Sequence, residues 1–221
     1  MSLVFQKVLK GIPNLDDDTA AHIVKNGILC NWWRSVREIT PKKIQLHLTG
    51  ENADLHLNHY HKPVPSGNPL AALGAKRFGD VSPFISTTAG VIERDGLNSQ
   101  NIFFDPFLTA MRFATDNFKT KGYIFYAYVL TIGKIAIEME QFSEEVRELH
   151  IYKNFLPYHT QGEIMAKIII PSVQIEKAVY YDGPAIKALM KSGKTLPSLR
   201  TIDNPDYQKP EKLSNIREVM S

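Results

Sequence analysis

The segment Tyr123–Ile132, Tyr-Ile-Phe-Tyr-Ala-Tyr-Val-Leu-Thr-Ile, constrains the fold more than any other stretch of this chain. It is β-branched or aromatic throughout and apolar on both faces, so it belongs at the centre of a sheet rather than at its rim. A second apolar run, Ile164–Ile170, reads as another strand. If it is extended along its whole length, Ile164, Ala166, Ile168 and Ile170 share one face, and Met165 and Ile169 share the other.

Further strands are expected at Leu3–Leu9, at Val81–Thr88 and, by alternation, at Val173–Tyr181. The first is expected to be an edge strand, stopped by Lys10-Gly11-Ile12-Pro13. Helices announce themselves by their caps. Asp16 or Asp17 caps a helix carrying Ala20, Ile23 and Val24 and closed by Asn26-Gly27, with Trp32-Trp33 packed over its end. Thr40-Pro41 opens a helix through Ile44 and Leu48 that stops at Gly50, and Asn68-Pro69 opens a short Ala-rich one. Asp105-Pro106 begins a helix whose Phe107, Ala110, Met111, Ala114 and Phe118 make one stripe, and Gly183-Pro184 begins another that runs to Lys191. Strands and helices in this order predict an α+β fold with mostly antiparallel strands. One domain over residues 1–190 is expected. Pro197, Pro205 and Pro210 mark residues 191–221 as a loosely attached extension.

Composition narrows the function classes. The net charge is +3 and the basic residues are scattered, so nucleic-acid binding is permitted but not signalled. No apolar run approaches the ~20 residues of a membrane helix, and Met1–Lys7 lacks the pattern of a cleaved leader, so the chain is expected to be cytoplasmic as synthesised, with its final location and delivery by a specialised route left open. Cys30 is the sole cysteine, which excludes an internal disulfide and a multi-cysteine zinc site. The densest histidine cluster, His56, His59 and His61, lacks the i, i+4 spacing of a zinc helix; imidazoles lining a cleft fit it better than a metal centre.

Two short polar motifs remain. Val81–Thr88 ends in the hydroxyls Ser86, Thr87 and Thr88. Tyr158-His159-Thr160-Gln161-Gly162-Glu163 opens the second apolar run, and Gln161 and Glu163, two apart, share a face if the strand has already begun. An amide and a carboxylate side by side on a rigid strand can act on one ligand, although an isolated Gln-x-Glu is also an ordinary solvated junction.

Taken in order, a first strand, a helix, the strand Phe84-Ile85-Ser86-Thr87-Thr88, the helix around Ala110-Met111-Arg112-Phe113-Ala114, the long buried strand and then Gln161-Gly162-Glu163 resemble the ADP-ribosyltransferase superfamily. The likeness is greatest to its bacterial toxin branch, with cholera-like and C3-like enzymes, and runs from the N-terminus to about residue 182. It implies a split antiparallel β-sandwich with helices on the N-terminal side and NAD bound in a cleft between sheets. It also implies cleavage of the nicotinamide–ribose bond, with transfer of ADP-ribose to a macromolecular acceptor or, alternatively, to water; a non-catalytic NAD-binding domain of the same fold is the third possibility.

The residues take roles by the same likeness. Glu163 stabilises the oxocarbenium-like centre, Ser86 orients that carboxylate, and Thr87 and Thr88 brace the strand. The family's first-strand arginine is replaced by Lys10, unless Arg34 takes its role; either would neutralise phosphate, but lysine gives a point charge where arginine gives a fork. Phe103 or Phe104 stacks on nicotinamide or serves the core. Gln161 faces the acceptor, where an amide suits an amide side chain or a nucleobase better than an arginine, and Tyr158 touches that target or packs the loop. No metal is implied.

Overall fold

The structure, a computed structural model, describes residues 2–36, 38–88, 106–133, 163–192, 199–209 and 216–218. At its centre, strand β4 (Lys121–Gly133) lies antiparallel between β1 (Ser2–Pro13) and β7 (Ile175–Asp182), as the two-faced apolar segment demands. Tyr123, Phe125 and Ala127 enter one core with Ala20 and Val24 of helix α1 (Asp17–Asn26) and with Trp32. Ile124 enters the other, with Ala110, Met111 and Ala114 of helix α5 (Pro106–Ala114) and Ile186 of helix α6 (Gly183–Ser192).

The main sheet has seven strands, in the order β5-β3-β1-β4-β7-β8 with β9 beside β1. β3 is Phe84–Thr88, β5 Glu163–Lys167, β8 Thr201–Asp203 and β9 Ile216–Glu218; only the β1–β9 pair is parallel among the described pairings. The mixture of helices with a mostly antiparallel sheet is the expected α+β class.

Three expectations are corrected. First, β1 is not an edge strand and does not stop at Lys10. It runs to Pro13 and is paired with β4 on one edge and β3 on the other, and Gly11 lets α5 lie directly on its face: a Cβ there would press into the Ala110 carbonyl and the Ala114 amide. Second, the run Ile164–Ile170 is not one strand. Ile168 adopts φ 64°, and the chain leaves β5 to enter β6 (Ile169–Ile170), which pairs with β2 (Ile28–Leu29) in a separate two-stranded sheet. The Ile168 carbonyl accepts from Cys30 N–H (2.8 Å) and its N–H donates to the Pro83 carbonyl (2.9 Å), so two backbone bonds hold the turn against the cost of a β-branched residue at positive φ.

Third, Gly50 begins a helix and ends none, the preceding helix being closed at Leu48. After α3 (Pro41–His47), Thr49 Oγ1 accepts from Asn52 N–H (3.2 Å) and caps α4 (Gly50–Asn58), which carries His56. The other caps are as expected, with Asp16, Thr40 and Asn68 each accepting a backbone N–H, and Pro69–Leu73 is a 3-10 turn. Trp32 and Trp33 lie in a short helix, α2 (Asn31–Ser35), whose Trp32 is fully buried.

The C-terminal stretch adds β8 and β9 to the sheet. Arg200 stacks on the Tyr180 ring at 4.0 Å and pairs with Asp17 at 2.9 Å, while buried Asn204 donates to the carbonyls of Ser172 and Ile175 (2.8 Å each). Among the described residues no helix is long and apolar enough to cross a membrane.

Candidate functional site

A cavity of about 590 Å³ opens where β1 and β3 diverge beyond the Leu9–Thr88 pair. The end of β1 forms its floor, β3 one wall, β2 with α2 a second, and the last turn of α5 the rim. Lys10, Arg34, Ser86, Thr87 and Thr88, far apart in sequence, all line it. So do His56 and His61, the cleft-lining imidazoles the sequence allowed.

The cavity is basic. Lys10, Arg34 and Arg112 face one lining carboxylate, Asp116, which is itself paired with Lys119 at 3.5 Å. Arg34 and Arg112 are exposed at the rim with no ion-pair partner among the described residues, so each can meet an anion without first giving one up. The volume and this surplus of charge suit a small anionic ligand.

His56 is the most constrained polar group in the wall. It is 3 % exposed, and the rings of Tyr60 and Phe84 meet it edge-on at 5.3 and 5.7 Å. Its Nδ1 lies 2.7 Å from Ser82 Oγ and its Nε2 2.8 Å from Ser86 Oγ. Tyr60 is fixed in turn: Asn31 Nδ2 donates to the Gly79 carbonyl (2.7 Å) and the Tyr60 hydroxyl (3.3 Å), and the bare Cα of Gly79 makes room for the ring. Both ring nitrogens of His56 are thus engaged by serine hydroxyls. Cys30 also lines the cavity, but its Sγ accepts from Trp33 N–H (3.4 Å) as the cap of α2, and burial pushes its thiol pKa up. A thiol held protonated in this way is a poor nucleophile.

The rim contributed by α5 is strained. Asp116, Asn117 and Phe118 occupy three consecutive left-handed positions (φ 43°, 55° and 65°), which Asp and Asn tolerate but which cost a bulky residue such as Phe118 about 1–2 kcal/mol. Buried Thr115 compensates by accepting from Phe118 N–H (3.0 Å) while donating to the Met111 carbonyl (2.7 Å). Next to this turn, Phe113 is 52 % exposed and lines the cavity mouth. None of Asn31, Tyr60, Phe113 or Asn117 was singled out as a site residue from the sequence; they are ordinary residues brought to the cavity by long-range packing.

Of the second motif, the backbone of Glu163 is placed. β3 and β5 pair antiparallel with Ser86 opposite Met165 and Thr88 opposite Glu163, which puts the register position of Glu163 on the sheet face of Ser86 and Thr88. Gln161, Tyr158, Phe103 and Phe104 lie outside the described residues.

No protein-family model and no curated protein matches the chain. Among solved structures it is similar to the crystal structure of the catalytic domain of the mosquitocidal toxin from Bacillus sphaericus, in a glutamate-to-glutamine mutant, with 15% identity and a TM-score of 0.38. That similarity covers 97% of this chain, which spans 64% of the other.

Proposed function

We propose that this protein is an NAD-dependent ADP-ribosyltransferase of toxin or effector type, which cleaves the nicotinamide–ribose bond and transfers ADP-ribose to a non-arginine acceptor. The observation that carries this reading is the register between β3 and β5. It brings Ser86 and Thr88 and the register position of Glu163 onto one sheet face, and Ser86, Thr87 and Thr88 line a cavity with three cationic side chains.

The chemistry follows from those groups. Lys10 and Arg34 neutralise the diphosphate of NAD, the arginine with its fork and the lysine as a point charge. Nicotinamide departs as a neutral molecule from a cationic linkage and needs no proton donor. The sugar carbon left behind gains positive charge, and an ionised Glu163 stabilises it. Ser86, held by His56, orients that carboxylate. Gln161 presents an amide to the acceptor, which suits a side-chain amide or a nucleobase.

The test is nicotinamide release from NAD by the purified protein, alone and then with cell lysate or DNA, beside Glu163→Ala. The expected loss in the variant is on the order of a hundredfold, about 3 kcal/mol of transition-state stabilisation. Release without any acceptor would assign the physiological reaction to NAD hydrolysis. Absence of release from the parent protein under every condition would overturn the enzyme reading and leave NAD binding to be measured by calorimetry.

A further inference from the structure

We propose that Ser82, acting through His56, fixes the direction of the Ser86 hydroxyl proton and so keeps Ser86 a hydrogen-bond donor toward the cavity. Ser82 is wholly buried. Its Oγ has two neighbours: the backbone N–H of Phe84 at 3.2 Å, which can only donate, and His56 Nδ1 at 2.7 Å. The Ser82 hydroxyl proton therefore has one acceptor among the described residues, the lone pair of Nδ1. A proton on Nδ1 would leave a buried O–H with no partner, an arrangement folded proteins avoid.

The rest of the chain of bonds follows. With Nδ1 accepting, His56 carries its proton on Nε2, and that N–H donates to Ser86 Oγ across 2.8 Å. A serine oxygen that already accepts from an imidazole keeps its own proton to give elsewhere. The sequence of donors is Phe84 N–H to Ser82, Ser82 O–H to His56, His56 Nε2–H to Ser86, and Ser86 O–H to whatever acceptor faces the cavity. The opposite tautomer would reverse the two bonds made by the ring and spend the Ser86 proton on Nε2. Tyr60 and Phe84, edge-on to the imidazole, oppose the ring flip that would exchange its nitrogens.

This inference rests on the functional reading above for what Ser86 donates to: a carboxylate at Glu163, one diagonal register position away, is an acceptor of the required kind. Ser82 and His56 are positioning residues, since they act through Ser86. Ser82 lies two residues before β3 and its hydroxyl caps the Phe84 amide, so the strand that carries Ser86 also carries the group that sets the tautomer.

Nitrogen-15 NMR of the full chain, with the His56 resonances assigned by their loss in His56→Asn, reads the tautomer directly. The expected result at neutral pH is a neutral ring protonated on Nε2 in the parent protein, lost in Ser82→Ala and kept in Ser82→Thr. Nicotinamide release should fall about tenfold in kcat for Ser82→Ala with KM for NAD nearly unchanged, and recover in Ser82→Thr. An Nδ1-protonated or cationic ring in the parent protein would overturn the proposal. So would a Ser82→Ala protein with the parent's tautomer. If the parent protein releases no nicotinamide, the transferase reading fails while the tautomer measurement still decides this one.

Discussion

Along one edge, β1 is hydrogen-bonded to β4 from Ser2 to Pro13; along the other, among the described residues, it meets β3 only at Leu9–Thr88 and β9 at Leu3–Phe5. The two sides also differ in what they bury. Around the closed edge the interior is aromatic and aliphatic, with Tyr123, Ile124 and Phe125 fully enclosed. On the side where β1 and β3 part, the elements α3, α4 and β3 bury His47, Asn52, His56, Thr87 and Thr88. Apolar contact is non-directional and tolerates any edge that can be zipped, whereas a cavity with oriented side chains needs buried polar groups whose partners fix their angles. One strand serves both needs because its pairing is unequal.

That inequality can be attacked from either side, and the closed edge should give the largest effect. Gly122 lies in β4 opposite Pro13, and a Cβ there would run into the carbonyl oxygens of Ala114 and Ile12, both of them backbone. Gly122→Ala is expected to cost about 3 kcal/mol, read as a lowered urea midpoint with an unchanged slope. A neutral result would mean that β4 and α5 can slide apart and that the closed edge is not rigid.

On the open side, the proposed function predicts that Lys10→Ala and Arg34→Ala each raise the KM for NAD about tenfold, and removal of exposed Arg34, which has no ion pair among the described residues, should leave the urea midpoint where it was. An effect confined to Arg34→Ala would sharpen the comparison by assigning the anion contact to α2 alone.

The smallest effect concerns acid. His47, 8 % exposed, packs on Trp32 at 4.9 Å, and its Nδ1 has no partner among the described residues. Burial holds its pKa below the usual 6.5. The unfolded chain therefore takes up a proton at pH 6.5 that the folded chain refuses, so this group's contribution is whole above pH 6.5 and is lost as pH falls below it, at no more than about 1.4 kcal/mol per pH unit. His47→Phe should flatten that part of the stability profile between pH 7 and 5; an unaltered profile would show that His47 is not the group responsible.

The sequence disclosed what depends on near neighbours. The caps at Asp16, Thr40 and Asn68, the strand that became β4 and the hydroxyl-rich end of β3 are written in adjacent residues. It misjudged what depends on distant ones. Nothing in Leu3–Leu9 says which strands will flank it, and Gly50, an ordinary helix stop, sits one residue after a Thr that could equally cap the next helix. Ile168 at positive φ contradicts its own propensity and is held by bonds to Pro83 and Cys30, remote in sequence. The same division applies to the site. Lys10, Arg34, Ser86 and Thr87 were legible as chemical types and do meet at the cavity. The link from Ser82 through His56 was not, because a buried serine is identified only by what surrounds it.

The reversal at Ile168 has a consequence for how such a chain can change over time. Residues before it belong to the large sheet and residues after it to the small one, with Pro83 and Cys30 bonded to the peptide units on either side of the Ile168 Cα. Side chains along this stretch can drift, but its length cannot. One residue gained or lost between Lys167 and Ile169 would shift every position back to Glu163 by one step against β3 and turn Glu163 to the opposite face of the sheet. Variants with insertions or deletions there would turn Met165 and Ala166 out of the cores they fill as well as moving the Glu163 position, so the chain's history should record changes of composition in this segment and none of count.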